Sequence, residues 1–286
     1  MPLLVALLSP LAVALLAPQL APRAAHVRAT ALLAPQIAPR AAQVRASATV
    51  NFEQAKSEAA LAEAAAFFVD SFWAASTATT AVALTAAQRS QLESQQLDDM
   101  EARYAELVGK RRLESALWVA RDPASSAIIG CVGCEVAVVK PSTRQVLPRR
   151  YSESLFTSAL GEMGARERNE LRSASLEQLA ATLLPPGHFL CAVLSNLAVS
   201  PNIRRGGLGR QLCERCEEAA REWGFNGLML QVEEGNAAAR GLYEGKLGYR
   251  LTFADDCASG TRVVPDGAGV AIEDVPVTLL TLGKQV

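Results

Sequence analysis

The sequence has little net charge, and it lacks long apolar runs beyond its first 16 residues. Its 28 basic and 29 acidic residues leave a formal charge of −1, so the net charge does not indicate a nucleic-acid-binding protein. After residue 16, no segment is apolar over a sufficient length to span a membrane as a helix. Half of the 286 residues are hydrophobic, which allows a sizeable core in one large domain or two small ones.

Acidic residues are absent from the first 52 positions, which contain four arginines, whereas the remainder has 24 basic and 29 acidic residues. Residues 15–29 recur almost unchanged as residues 32–46, and two copies of such Ala/Pro/Arg-rich sequence are too few for a packed solenoid. This composition predicts a targeting segment over residues 1–46. We expect a signal or transit peptide for the plastid, with the mitochondrion or the secretory pathway as alternatives. The apolar run at residues 3–16 is short and interrupted, which disfavours a membrane anchor.

The cysteines include two C-x-x-C pairs, which could suggest zinc. Cys131 and Cys134 lie in a strand-like run, where alternate residues face opposite sides, and Cys213 and Cys216 lie in a predicted helix. Neither pair has the turn of a zinc knuckle, so we predict no metal site. Buried or redox-regulated thiols are the expected alternative, also for the two remaining cysteines, Cys191 and Cys257.

Hydrophobic periodicity predicts an α+β domain over residues 47–286. Its first half should contain a short strand, two helices and a hairpin, at residues 47–52, 53–73, 87–111, 115–121 and 128–139. The segment at residues 140–187 is too long for a simple connection between strands. Its length and pattern predict an ordered insertion with a helix at residues 173–184. Its basic cluster with Tyr151 either borders an acceptor cleft or is a solvated loop; the cluster comprises Arg144, Arg149 and Arg150.

The chain is organised around residues 189–210. An apolar run at 189–199 predicts a buried strand, Pro201 and Asn202 interrupt it, and a basic glycine loop then opens a helix at 209–223. A second strand at 227–232 returns parallel to the first, so the loop lies at a strand's carboxyl end, where ligands bind. Glycines, unpaired first-turn N–H groups and arginines together predict a pyrophosphate site.

Two common phosphate loops do not fit this stretch. No lysine follows Gly209, as a Walker loop requires, and position 212 is leucine where a Rossmann fingerprint has glycine. The remaining pattern is Arg-x-x-Gly-x-Gly, filled by Arg204, Gly207 and Gly209. This pattern resembles the coenzyme A loop of the GNAT superfamily of N-acetyltransferases.

A second motif lies downstream. Asn236, Ala239, Leu242 and Tyr243 resemble the GNAT segment Asn-x-x-Ala-x-x-Leu-Tyr, and Leu-Gly-Tyr follows at residues 247–249. The resemblance is firm over about residues 189–250 and weak before the insertion. It implies the GNAT acyl-CoA N-acyltransferase fold, an α/β (α+β) fold whose mixed central sheet is splayed at its centre and flanked by helices. The final strands would be residues 249–254 and 275–282, which would bracket a glycine-rich loop.

The resemblance also implies roles for particular residues. A bulge in the central strand would leave backbone N–H groups for the pantetheine arm and the acyl oxygen, and Asn236 would hold the cofactor arm. Tyr243 would be the general acid for the leaving thiolate, because an unperturbed phenol is protonated at neutral pH. The remaining residues expected to bind acetyl-CoA are Leu197, Ala198, Val199, Arg204, Arg205, Gly206, Gly207, Leu208, Gly209 and Arg210. Taken singly, Asn236 could instead be a helix N-cap, and Tyr243 a core aromatic.

Two departures from the family pattern concern the base and the acid. Where related ribosomal-protein acetyltransferases have a glutamate base, this chain has Gln231, which cannot accept a proton; the base would then be Glu233, Glu234, water or bulk solvent. Gly245 lengthens the interval after Tyr243 by one residue, which should bend the helix end without removing the acid.

These patterns predict transfer of acetyl from acetyl-CoA to a primary amine. A protein lysine or N-terminal amine is the expected acceptor, and a small amine or a catalytically weak CoA-binding sensor or adaptor is the alternative. No nucleic-acid partner and no stable membrane association of the mature chain are expected, and the protein would be a monomer or homodimer.

Overall fold

A computed structural model of the chain describes residues 50–74, 84–105, 113–140, 145–266 and 269–286. The predicted targeting segment and the last part of the helix predicted at 87–111 lie outside these ranges.

The amino-terminal part consists of a short strand and two helices with defined caps. Strand β1 spans Asn51–Gln54, helix α1 spans Glu58–Val69, and helix α2 spans Ala86–Tyr104. The Ser57 hydroxyl accepts a hydrogen bond from the Ala60 N–H, and Thr85 forms a capping box with Gln88, so both helices begin where side chains satisfy their first N–H groups. A π-helical turn at Asp70–Ala74 continues α1. The predicted element types are confirmed, with shifted boundaries.

A seven-stranded mixed sheet forms the centre of the described structure. Its order is β1-β2-β3-β4-β5-β7-β6, and every neighbouring pair is antiparallel except β4 and β5. The additional strands are β2 (Ser115–Arg121), β3 (Ile128–Val139), β4 (Phe189–Val199), β5 (Gly227–Glu233), β6 (Arg250–Asp266) and β7 (Gly269–Gln285). The predicted bounds of β2, β3 and β4 are confirmed, as is the parallel return of β5.

Strand β4 is bulged, and the sheet opens beyond the bulge. Ser195 pairs with Gly133 and Ala198 with Cys131, so β4 advances three residues while β3 advances two. Asn196, at the extra position, has a φ of 51°. The parallel pairing of β4 with β5 is confined to residues 192–194 and 228–230. Beyond residue 194 the two strands diverge, which is the splayed centre that the resemblance implied.

Helix α6 (Leu208–Glu222) follows β4 and packs on one face of the sheet, while α1 and α2 cover the other face. Its apolar side chains enter the core, as the periodicity predicted, although Trp223 after its end is only partly buried. Glu217, a charged residue of this helix, is buried. Its carboxylate lies 2.6 Å from the Lys284 ammonium and accepts a hydrogen bond from the Tyr249 hydroxyl, so a partner on β7 compensates its burial.

The two final strands are far longer than predicted. They continue past the predicted glycine-rich loop as one antiparallel hairpin, β6–β7, in which Gly260 pairs with Val275. Near the far end, Val263 and Ile272 pack against a small cluster formed by Val69, Trp73 and Leu92. The segment that was predicted to be a loop forms strand instead, because its apolar side chains cover an apolar surface on α1 and α2.

The insertion at residues 140–187 is ordered wherever the structure describes it. It contains helices α3 (Arg149–Glu162), α4 (Ala165–Glu170) and α5 (Leu176–Leu183), of which only α5 was predicted. Apolar residues of α3 and α5 form a cluster with Val136 and Val138 of β3. Arg149, predicted as part of a basic cluster, is buried and donates hydrogen bonds to backbone carbonyls, whereas Tyr151 is 53% exposed.

The cysteines are free thiols, and only Cys257 is exposed. Cys131 contacts the α1 and α2 cluster, whereas Cys134 contacts the α6 cluster, so the first pair is divided between two faces of β3. Burial raises the pKa of the Cys131 and Cys191 thiols to about 12, which keeps them protonated at neutral pH. Among the described helices, none is both long and apolar enough to cross a membrane.

Candidate active site

The glycine loop ends β4 with a backbone shape that exposes the start of α6. A short 3₁₀ turn at Pro201–Ile203 is followed by Arg205 with a φ of 67° and by Gly207 with a φ of 92°. Gly207 is the N-cap of α6, and the first-turn N–H groups of a helix have no acceptor within the helix. These groups and the helix dipole favour an anion at this end of α6.

The three arginines of the loop differ in their surroundings. Arg204 donates hydrogen bonds to the carbonyls of Val199, at 3.1 Å, and Ser71, at 2.7 Å, and desolvation lowers the pKa of its guanidinium. It therefore fastens the loop to the turn that follows α1, which the sequence did not predict. Arg205 and Arg210 are exposed, although Arg210 also pairs with Glu214 at 2.7 Å.

The bulged end of β4 faces the gap between the strands. Leu197 and Val199 lie beyond the last residue that pairs with β5, and Leu197 also has no register partner on β3. The backbone of residues 197–199 therefore borders the opening on its β5 side. This is the arrangement that free N–H groups for an acyl oxygen require.

Tyr243 lies on a π-helical turn, Gly241–Lys246, which follows the short helix α7 (Ala237–Arg240). The Leu247 N–H donates to the Leu242 carbonyl, five residues back, so the wider turn accommodates the extra residue that the sequence contains. The Tyr243 ring is 3% exposed and packs edge-on against Tyr249 at 6.0 Å. Burial raises the pKa of the phenol well above its usual value, so Tyr243 is protonated at neutral pH.

Asn236 and Glu233 have structural partners. The Asn236 side chain caps α7 by accepting a hydrogen bond from the Ala239 N–H at 3.0 Å, which is the alternative that the sequence left open. Both carboxylate oxygens of buried Glu233 accept hydrogen bonds from Arg262 on β6. Glu233 also does not line the pocket that contains Tyr243. That Glu233 is the base stays a prediction; in this structure both of its carboxylate oxygens are bonded to a guanidinium.

A pocket lies where β4 and β5 diverge, and it brings together residues from seven parts of the chain. Tyr243 and Gln231 line it together with the bulged residues of β4. Phe68, Phe72 and residues 146–148 supply apolar walls. Two charged residues, Arg103 of α2 and Glu135 of β3, also line it. Sequence reasoning missed both, although Glu135 is the one charged residue in the apolar run of β3, and that isolation is the signal that identifies it.

These residues are connected to the bulge by hydrogen bonds. The Tyr104 hydroxyl lies 2.6 Å from the Ser195 hydroxyl and accepts a hydrogen bond of 3.3 Å from the Asn196 amide. Arg103 donates to Asp99 at 2.9 Å and to one oxygen of Glu135. Helix α2 therefore holds both the bulge and the pocket carboxylate in place.

Comparison with known proteins agrees with this description. Residues 169–249, which include the glycine loop and Tyr243, match the model of the acetyltransferase (GNAT) family. The mixed sheet with its opening between β4 and β5 is the GNAT fold that the sequence predicted.

Individual relatives are similar over shorter stretches. The [ribosomal protein bS18]-alanine N-acetyltransferase of Salmonella typhimurium is 36% identical over 99 residues, which are 35% of this chain and 64% of that protein. GCN5-related N-acetyltransferase 7, chloroplastic, of Arabidopsis thaliana is 36% identical over 67 residues, 23% of this chain and 24% of that protein. The chain thus spans less than two thirds of either relative. The solved ribosomal-protein-S18-alanine N-acetyltransferase of Escherichia coli covers 83% of this chain and 94% of its own, with 16% identity and a TM-score of 0.40.

Proposed function

We propose that the chain is an acetyl-CoA-dependent N-acetyltransferase that acetylates a primary amine. The observation that carries the proposal is that one opening of the sheet combines a protonated buried tyrosine with a bulged strand end, directly before a glycine loop at a helix start. Acyl transfer needs an acid for the leaving thiolate, donors for the acyl oxygen and a site for the pyrophosphate, and this opening offers all three.

Each part of the site has a separate role. The N–H groups of residues 207–209 and the side chains of Arg205 and Arg210 bind the pyrophosphate of CoA; the N–H groups of residues 206 and 210 instead donate to the carbonyls of Ile203 and Gly207. The backbone at residues 197–199 binds the pantetheine arm and polarises the acyl carbonyl. Tyr243 donates its proton to the sulfur as the carbon–sulfur bond breaks. Arg204 and Asn236 keep the loop and the start of α7 in position.

For the acceptor we propose a protein amine, either an N-terminal amine or a lysine. The name of the Salmonella relative specifies alanine of a ribosomal protein, which is a precedent for a protein acceptor in a similar chain. We further propose that the protein acts in the plastid. The acid-free, arginine-containing composition of residues 1–46 supports this location, as does the chloroplastic name of the Arabidopsis relative.

A thiol-release assay tests this function. The full chain is supplied with acetyl-CoA and with N-terminal peptides, lysine peptides or polyamines, and free CoA is measured over time. We expect turnover with at least one peptide class and a lower rate with polyamines. Tight acetyl-CoA binding without turnover on any of these amines would contradict the enzyme reading and favour a CoA-binding sensor. Turnover on polyamines alone would replace the protein acceptor by a small one.

Replacement of Gly207 tests the pyrophosphate loop. Gly207 has a φ of 92°, a region that costs other residues about 1–2 kcal/mol. We expect Gly207→Ala to weaken CoA binding by about tenfold, or about 1.4 kcal/mol, because the strained loop turns its N–H groups away from the anion. Isothermal titration with CoA measures the effect.

Gly224 provides the control for this substitution. It has a φ of 85° after the other end of α6, and an added Cβ at either glycine meets no atom within 4 Å. Gly224→Ala should therefore have a similar cost in stability but leave the CoA affinity unchanged. Equal losses of affinity in the two variants would show that general destabilisation, and not the loop, is responsible.

A further inference from the structure

We propose that Glu135 is the general base, which binds the acceptor amine as an ammonium ion and takes its proton. This inference rests on the proposed acetyl transfer. It supplies a base in place of residue 231, which is a glutamine and cannot accept a proton. Gln231 and Glu135 line the same pocket from two different strands, so a carboxylate on β3 is available where β5 has an amide.

The position of Glu135 is set by the pairing of β3 with β4. Glu135 pairs with Val193, and two residues further along Gly133 pairs with Ser195, at the start of the bulge. Side chains two residues apart on a strand lie on the same face. The carboxylate is thus held beside the bulge, where we place the acyl carbonyl, and on the pocket side of the sheet.

The two oxygens of Glu135 have different surroundings. One accepts a hydrogen bond from Arg103, whereas the other, Oε2, is buried and has no hydrogen-bond partner among the residues that the structure describes. Glu135 as a whole is 2% exposed. A buried carboxylate oxygen without a donor is costly, and this cost is removed when a ligand supplies an N–H group.

The surrounding charges favour a cation as that ligand. Arg103 lies between two carboxylates, those of Asp99 and Glu135, so the three groups together carry one negative charge. Tyr104 stays neutral, because burial raises the pKa of its phenol well above the usual value. The pocket walls at residues 146–148 and at Phe68 and Phe72 are largely apolar. An entering ammonium would therefore find its ionic partner in Glu135.

The proton balance of the reaction then closes. Glu135 accepts one proton from the ammonium, and the neutral nitrogen attacks the thioester carbon to form the carbon–nitrogen bond. As the carbon–sulfur bond breaks, Tyr243 protonates the thiolate, and the second nitrogen proton restores the Tyr243 phenol. Glu135 releases its proton to solvent, so the products are the N-acetylated amine, CoA thiol and one proton.

The test is Glu135→Gln, which keeps the shape and an oxygen for Arg103 but removes the base. General acid–base catalysis contributes about 10²–10⁴-fold, so we expect kcat/KM for the peptide found in the thiol-release assay to fall by about 100-fold or more. The dissociation constant for CoA should stay within about twofold of the wild-type value. That second readout distinguishes loss of the base from loss of the fold.

Glu217→Gln is the matched control, because Glu217 is also a buried glutamate with a cationic partner but does not line the pocket. It should retain kcat/KM. If Glu135→Gln does not fold, Glu135→Asp keeps the charge beside Arg103 and withdraws the carboxylate by one methylene; we expect at least a tenfold loss. Folded variants of Glu135 with wild-type kcat/KM would overturn the inference, whereas a wild-type chain without any acetyl transfer would overturn the proposed function instead.

Discussion

Tyr243→Phe should lower kcat by about 100-fold or more and leave the affinity for acetyl-CoA unchanged. The substitution removes only the hydroxyl, which makes no hydrogen bond with any residue that the structure describes, so the packing of the ring on Tyr249 is retained. What is lost is the proton donor for the leaving thiolate. Steady-state kinetics with the best peptide, together with CoA titration, measures both quantities.

The pH dependence of the wild-type chain checks the same role. Because burial raises the pKa of Tyr243, its phenol keeps its proton above the ordinary value of about 10. Deprotonation of Tyr243 should therefore not lower the wild-type kcat at any pH below about 10. A loss of activity near neutral pH that disappears in Tyr243→Phe would contradict this assignment.

Tyr249→Phe is the control for the tyrosine. Tyr249 is fully buried and adjacent to Tyr243, but its hydroxyl is directed to Glu217 at 3.4 Å and it does not line the pocket. Its kcat should be close to that of the wild type. If both variants lost activity equally, the effect would come from disturbed packing, and Tyr243 would not be the acid.

The second large effect concerns stability. Gly133→Ala should lower the free energy of unfolding by about 2–3 kcal/mol, as overpacking of a core does. A Cβ on Gly133 would lie 2.0 Å from the Tyr104 hydroxyl oxygen and 2.5 Å from its ring carbon Cζ. Helix α2 must then move away from β3, and the Tyr104–Ser195 hydrogen bond of 2.6 Å breaks. Urea denaturation followed by circular dichroism measures the loss.

Gly161→Ala is the control, because it makes the same substitution at a position where an added Cβ has space. Gly161 lies in α3, is exposed, and has no atom within 4 Å of an added Cβ. Alanine is the better helix former, so this variant should gain up to about 1 kcal/mol. A Gly133→Ala variant as stable as Gly161→Ala would mean that α2 does not press against β3 as described.

The local elements of this fold could be predicted from the sequence because their signals are local. Strand β4 is an apolar run that ends at a proline, α6 has a helical apolar face after a glycine loop, and the bounds of β2 and β3 follow from apolar stretches. The extra residue at Gly245 could be recognised from the spacing of the family motif that residues 236–249 resemble, and a π-helical turn accommodates it.

Other features could not be predicted because distant residues decide them. The β6–β7 hairpin is long because Val263 and Ile272 find an apolar surface on α1 and α2. Arg149 is buried because carbonyls of Val136 and Leu113 accept its N–H groups. Glu217 faces inward because Lys284 is there to pair with it. No periodicity within one segment contains such information.

The candidate site divides in the same way. The sequence by itself determined the central strand and the glycine loop that follows it, because both depend on residue types at short spacing. The proposal that Tyr243 is the acid comes from the resemblance of residues 236–243 to a family motif. Only the tertiary structure decided which carboxylate has a proton-accepting oxygen to spare. Arg262 donates hydrogen bonds to both carboxylate oxygens of Glu233. Arg103 donates to only one oxygen of Glu135, and the other has no donor among the described residues. Whether a carboxylate can act as a base depends on its neighbours in space, and the pairing of β3, β4 and β6 with their partners sets those neighbours.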